Sequence, residues 1–402
     1  MGDKSVNAWW PLAITLLIQA MVSMALLTLP VMAPVAAKAL QVSPAMVGLY
    51  VAVTYVGAML ASLASGTAVA RFGAVRISQW GLWLSAGGLL LCSVPWLPAV
   101  AAGAFLIGIG YGPITPASSH LLARTTQPER MALVFSVKQT GVPLGGMLAG
   151  AVVPPLLLGI GWQYSLAVVA LACGLCALLS QPLRASLDAD RRTHQPMRLS
   201  DLTRPIRLVL AHRALATMAA CSFVFSIMQM SLSTYLVTFL HDDLSYSLVA
   251  AGLALSITQV GGVAGRVAWG YVADRWVDPA RMLAILAGAM SLCALLTALL
   301  QPHTPAPLVW ALLACFGASA IGWNGVYLSE VARQAPPGLA SAATGGTLTF
   351  TFLGVVLGPP AFGLLSNLMG SFRAGFAALT LISGLACLVL LVWQRKLPNS
   401  TH

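Results

Sequence analysis

Long apolar runs alternate with short polar breaks along nearly the whole chain. Twelve runs separate cleanly, near residues 11–36, 44–70, 76–96, 98–123, 131–157, 162–181, 213–239, 246–272, 280–301, 305–332, 338–366 and 372–394. Each has about 20 residues or more, the length a helix needs to cross about 30 Å of hydrocarbon. Lipid offers backbone N–H and C=O groups no partner, so the pattern predicts helices rather than open strands.

The longest polar stretch, 182–212, splits the runs into two sets of six. It is basic, contains Pro196 and Pro205, and carries a short amphipathic piece around Leu202 to Leu210. The expected organisation is a six-helix bundle over 1–181, a linker over 182–212 and a second six-helix bundle over 213–402. The two sets repeat each other. At a separation of 204 residues Gly48 matches Gly252, Gly57 matches Gly261, Gly66 matches Gly270 and Arg71 matches Arg275. At 209 residues Gly108 matches Gly317, Arg124 matches Arg333, Pro128 matches Pro337, Gly145 matches Gly354 and Gly161 matches Gly370. Six helices return the chain to its starting side, so the repeat is parallel, about an axis along the membrane normal.

Composition removes the soluble alternatives. Of the 402 residues, 58% are hydrophobic and 8% charged, against about 25% charged in a soluble domain. The net charge of +11 suggests nucleic acid until the charges are placed. With the N-terminus inside, 17 of the 21 lysines and arginines fall on one side of the membrane or in the linker, and only Lys38 and Arg373 lie opposite. That bias is the positive-inside rule, so nucleic acid is not the expected partner and both termini are expected in the cytoplasm. The basic linker suits anionic lipid head groups. The first apolar run is too long for a secretory signal and has no small-residue cleavage pattern before Pro30, so it is expected to stay in the protein.

Seven cysteines, an odd number, all lie in predicted helices and give no disulfide framework. Cys173 and Cys176 form a C-x-x-C without the strand–helix context of a redox site. The six histidines show no ligand spacing. No paired catalytic groups and no phosphate-binding loop occur. No enzyme activity, metal or cofactor is expected.

The turn after the second run reads Gly66-Thr-Ala-Val-Ala70-Arg71-Phe-Gly73-Ala-Val-Arg76, and the turn after the eighth reads Gly270-Tyr-Val-Ala-Asp274-Arg275-Trp-Val-Asp278-Pro-Ala-Arg281. Together they resemble the paired G-x-x-x-D-R-x-G-x-x-R/K signature of the major facilitator superfamily. The resemblance runs through the whole chain by way of the repeat. The fifth run carries Lys138-Gln-Thr-Gly141-Val-Pro143-Leu-Gly145-Gly146, similar to that family's glycine- and proline-rich fifth-helix motif. The wording here, with Leu232-Ser-Thr-Tyr235 in the seventh run, looks closer to the cyanate- and nitroimidazole-transporter-like branch. Ala104 stands where drug/proton antiporters have an arginine.

The resemblance implies the major facilitator fold, with twelve transmembrane helices in two pseudo-symmetric bundles, and transport by alternating access. It also implies a conformational latch in which a carboxylate at a helix end binds a loop arginine and N-terminal N–H groups. In the second half Asp274, Arg275, Arg281 and Glu330 supply the parts; in the first, Gly66 and Arg71 remain but Ala70 and Leu121 replace the acids. The latch is therefore expected to be one-sided.

Two charges lie well inside the predicted helices, Lys138 and Arg266. A charge in the bilayer costs at least ~2.5 kcal/mol, so its default reading is functional. At 1.5 Å per residue both sit about 10 Å from the same side. No carboxylate lies at mid-membrane to neutralise them, so the expected ligand is an anion, with Arg266 offering a planar fork and Lys138 a point charge. For Arg266 a second reading stands beside this one: a bond to backbone carbonyls, or snorkelling. Because the resembled family lines its cavity with helices 1, 4, 7 and 10, the further substrate-binding candidates include Gln19, Tyr111, Gln139, Gln229, Gln259, Trp323 and Asn324, with Ser23, Thr115, Tyr235 and Tyr327 alongside.

The expected function is secondary active transport of a small organic anion such as a carboxylate, by a monomer in a bacterial inner membrane, with protons as a candidate co-substrate. Drug or metabolite efflux by proton antiport is the alternative, and a non-transporting membrane sensor the remote one.

Overall fold

A computed structural model describes residues 9–126, 131–189, 203–336 and 340–394, and among them the regular structure is helical throughout, without strands. Eighteen helices follow in chain order: α1 (Trp9–Val31), α2 (Ala33–Leu40), α3 (Val47–Phe72), α4 (Ala74–Cys92), α5 (Leu97–Tyr111), α6 (Ile114–Thr125), α7 (Met131–Gln139), α8 (Gly141–Ile160), α9 (Trp162–Leu179), α10 (Arg184–Leu187), α11 (Thr203–Ala211), α12 (Arg213–Thr238), α13 (Leu248–Arg275), α14 (Pro279–Ala298), α15 (Ala306–Ala320), α16 (Asn324–Gln334), α17 (Ala340–Met369) and α18 (Phe372–Gln394). Eleven stretches among the described residues are long and apolar enough to cross a membrane. The remaining predicted run, 76–96, is occupied by α4, which carries Arg76 in its first turn.

Four of the twelve predicted runs are broken helices. Proline explains three of the breaks, because it lacks an N–H and its ring crowds the carbonyl four residues back. Pro34 starts α2 after the turn at Met32. Pro113 and Pro116 divide α5 from α6 at Gly112. Pro143 accounts for the step at Thr140 between α7 and α8. The fourth break, at Ile321–Trp323 between α15 and α16, contains no proline.

The chain forms two compact units, one of residues 1–44 and 49–198, the other of 45–48 and 199–402. Within the first, α1 packs on α8 and α9, and α4 on α5 and α9. Within the second, α12 packs on α17, and α14 on α15 and α18. Related helices thus make related contacts, and the glycine repeat shows why. A Cβ on Gly108 would run into the Thr54 carbonyl, and one on Gly317 into the Thr258 carbonyl, its counterpart. Gly57 abuts the carbonyl of Phe105, and Gly261 that of Ala314. These are small-residue contacts that let helix backbones touch.

The linker is structured where described. The end of the first unit's chain, Gln181–Asp188, folds back over α4, and α11 occupies the amphipathic piece read from the sequence. Within the second unit α11 packs on α17, where the Pro205 carbonyl fills the space beside Gly346.

Candidate functional site

In the first unit the fifth-helix motif does two jobs. Its glycines bring α8 against α1: a Cβ on Gly141 would lie 2.8 Å from Cβ of Gln19, and one on Gly145 would meet the Ala20 carbonyl. The step at Thr140 then ends α7 one residue after Lys138. Lys138 is only 1% exposed. Its Nζ donates to Thr115 Oγ1 at 3.3 Å, Thr115 donates to Gln19 Oε1 at 3.2 Å, and Gln19 Nε2 donates to Ser23 Oγ at 3.4 Å. Thr115 is available to Lys138 because the Gly112–Pro113 break restarts the helix just before it. Tyr111, the last residue of α5, packs its ring against Tyr55 at 5.8 Å. Gln139 is half-buried beside the step.

In the second unit the polar candidates gather at the break between α15 and α16. Gln229 Oε1 accepts from Trp323 Nε1 at 3.0 Å and from Asn324 Nδ2 at 3.5 Å. Trp323 is buried and set edge-on to Phe225 at 5.3 Å and to Tyr327 at 5.2 Å. The break is held from α13. Arg266 Nε donates to the Ile321 carbonyl at 3.1 Å and Trp269 Nε1 to the Ala318 carbonyl at 2.7 Å. A Cβ on Gly322 would lie 3.0 Å from the Gly265 backbone and from the Trp269 ring, so only glycine fits there. Gln259 is buried and donates to Ser233 at 3.2 Å. Tyr235, also buried, donates to the Pro359 carbonyl at 2.9 Å.

Asp278 at the α13–α14 turn and Glu330 on α16 are joined in a network through Arg333. Glu330, wholly buried, accepts from Arg333 Nε at 2.8 Å and from Gln334 Nε2 at 2.8 Å. Arg333 Nη1 meets Asp278 Oδ2 at 2.9 Å, and Asp278 also caps α14 through the Ala280 N–H. Arg275 turns instead to its own helix and donates to the Tyr271 hydroxyl at 2.8 Å. Arg281 is exposed. Gly270 has open space around it, and the Asp274 side chain lies outside the described residues.

At the corresponding turn of the first unit, between α3 and α4, a carboxylate is present although the motif lacks one. It comes from the linker: Asp188 Oδ1 accepts from Val75 N at 2.8 Å and Oδ2 from Arg76 N at 3.0 Å. Gly73, at φ 95°, leaves the room this approach needs. Arg124 donates to the neighbouring Leu187 carbonyl at 3.3 Å. Arg71 lies over the Phe72 ring at 5.3 Å, and the side-chain environment at Gly66 lies outside the described residues.

Asp188, Arg333 and Trp269 were not singled out from the sequence as site residues. Arg333 was readable, three residues after Glu330 on one helix face. Asp188 and Trp269 had no local signal.

A sequence model of the Major Facilitator Superfamily matches residues 12–359. The chain belongs to the Major Facilitator Superfamily. It is a multi-pass membrane transporter of a small molecule, and not an enzyme. A gentisate transporter from Corynebacterium glutamicum is 29% identical over 330 residues, covering 78% of this chain and 71% of the relative. A benzoate transport protein from Acinetobacter baylyi is 27% identical over 327 residues, covering 73% and 68%. Among solved structures, a bacterial homolog of the human lysosomal transporter Spinster, in an inward-facing and occupied conformation, superposes with a TM-score of 0.77 at 16% identity over 98% of both chains. That likeness is one of fold.

Proposed function

We propose that this superfamily member carries a small aromatic carboxylate across a bacterial inner membrane by alternating access, with both termini in the cytoplasm. The observation that carries the reading is Lys138. It is a cation buried inside a predicted span, and its Nζ donates to Thr115, which in turn donates to Gln19. A carboxylate bound beside this ammonium group would gain a charge-assisted hydrogen bond and lower the cost of the buried cation. The names of two relatives, a gentisate transporter and a benzoate transport protein, support an aromatic acid as the cargo. Arg266 takes the second of its two readings, as the brace of the α15–α16 break, because its Nε is engaged by the Ile321 carbonyl. In the same reading the Asp278–Arg333–Glu330 network is the second unit's latch.

The test is uptake of labelled benzoate into proteoliposomes, with and without a pH gradient. Lys138→Ala is expected to lower uptake by about tenfold or more, the worth of a charge-assisted hydrogen bond, while still eluting as a folded protein on size exclusion. Wild-type uptake by Lys138→Ala, or preference of the native protein for organic cations, would overturn the reading.

A further inference from the structure

The turn that joins α3 to α4 brings two arginines and two aromatic rings together. Arg71 Cζ lies over the Phe72 ring at 5.3 Å, the Phe72 and Trp80 rings meet at 5.0 Å, and Arg76 Cζ lies over the Trp80 ring at 5.6 Å. Arg71 and Phe72 end α3, whereas Arg76 and Trp80 stand one turn apart on α4. A ring face attracts a guanidinium through its π-electrons and leaves the in-plane N–H groups to other partners. Among the described residues neither guanidinium donates a hydrogen bond or pairs with a carboxylate. The carboxylate at this turn, that of Asp188, is buried with its oxygens on the Val75 and Arg76 N–H groups.

The rings are uncovered, Phe72 being 37% and Trp80 39% exposed. From Trp80 the open face of α4 continues through Trp83, Gly87, where a Cβ would meet nothing within 4 Å, and Leu90. Positions 76, 80, 83, 87 and 90 share one face of a helix with 3.6 residues per turn. On a chain that spans the membrane, an open apolar face lies in hydrocarbon, and arginines at its end lie among the head groups.

We infer that this turn is a binding site for an anionic phospholipid, with the phosphate between Arg71 and Arg76 and the acyl chains along Trp80, Trp83 and Leu90. Guanidinium groups present planar N–H forks that match phosphate oxygens two at a time. Rings that set their direction beforehand reduce the freedom lost when the phosphate arrives. A free phosphate would suit the arginines equally well, but the apolar stripe continuous with them calls for a ligand with a tail. The repeat-related turn of the second unit is built differently. Arg275 lies over the Tyr271 ring at 4.6 Å and donates to the hydroxyl of that same residue, while Trp276 stands edge-on to the ring. One of its donors is thus already engaged within the protein, so the site belongs to the first turn and not to every cluster of arginines at the interface.

The experiment is native mass spectrometry of the full-length protein in detergent, titrated with phosphatidylglycerol or with phosphatidylcholine of the same acyl chains, whose choline cation the arginine pair repels. The native protein is expected to bind phosphatidylglycerol about tenfold or more tightly, the worth of two arginines at a head-group surface. Arg71→Gln combined with Arg76→Gln is expected to bring the two lipids within about threefold, while Arg275→Gln combined with Arg281→Gln keeps the preference. Trp80→Leu removes the ring beside Arg76 but no charge, and should reduce the preference in part. Glycerol phosphate, a head group without chains, should not displace the lipid. If the first double variant does not elute as a folded protein, Arg71→Gln alone decides, by whether phosphatidylglycerol still raises its melting temperature more than phosphatidylcholine does. The site is overturned if the native protein does not distinguish the lipids, or if the Arg71 and Arg76 variants distinguish them as it does. Equal losses in the two double variants would reduce the effect to net charge and overturn it too. Displacement by glycerol phosphate would make this a site for soluble phosphate instead.

Discussion

Asp188 caps the backbone of Val75 at 2.8 Å across 113 residues of sequence. With its second oxygen on Arg76 N, it supplies to α4 what Asp278 supplies locally to α14. The first unit thus has a carboxylate at its motif turn, drawn from the linker rather than from the turn itself. The site is closed to solvent, Asp188 being 3% exposed, so loss of the carboxylate strands two helix N–H donors. Asp188→Ala is expected to destabilise the protein by about 1–2 kcal/mol, the worth of an N-cap, and Asp188→Asn by less, since its amide oxygen can still accept one bond. Thermal unfolding in detergent reads this directly. An alanine variant that melts with the native protein would remove the cap from the account.

The sequence made the spans legible because each needs only a long apolar run, and it made three of the four helix breaks legible because Pro34, Pro113 and Pro143 act locally. The repeat made the glycine contacts legible in pairs. What could not be read were features set by residues far apart in the chain. No proline near Ile321 announces a break, and the donors that hold it, Arg266 and Trp269, lie 55 and 49 residues away from the carbonyls they bind. Asp188 sits in a polar linker where an acidic residue has no reason to stand out. At the candidate site Lys138 was legible as a charge in an apolar run. Its partner Thr115 became specific only once the break at Gly112–Pro113 placed it.

The two readings of Arg266 give different kinetics. As a brace it acts through the Ile321 carbonyl on the break that carries Trp323, so its loss should fall on turnover and stability. Arg266→Ala is expected to lower kcat and the melting temperature while leaving KM for benzoate within about threefold, less than the tenfold a charge-assisted bond would cost. Trp269→Phe, which removes the donor to Ala318 but no charge, should show the same pattern more weakly. A Trp269→Phe variant like the native protein, together with an Arg266→Ala variant whose KM alone rises, would return Arg266 to the carboxylate.

The last prediction concerns the paired glycines. Gly108 and Gly317 occupy repeat-related positions, and a methyl group on either would collide with a backbone carbonyl, of Thr54 or of Thr258. Carbonyls of a packed helix cannot rotate aside as a flexible side chain can, so the helices must separate. Overpacking of this kind costs about 1–3 kcal/mol. Gly87 on α4 and Gly345 on α17 are controls, because a Cβ there meets nothing within 4 Å. At those sites alanine removes the glycine entropy penalty and is expected to be neutral or stabilising by up to about 1 kcal/mol. Four single alanine variants compared by thermal unfolding therefore separate close packing from a general intolerance of substitution. Gly108→Ala and Gly317→Ala should melt lower than the native protein by similar amounts, and Gly87→Ala and Gly345→Ala should not. If Gly317→Ala behaves like Gly345→Ala, then the contact between α13 and α15 yields at little cost, and the matched glycines need another explanation than backbone contact.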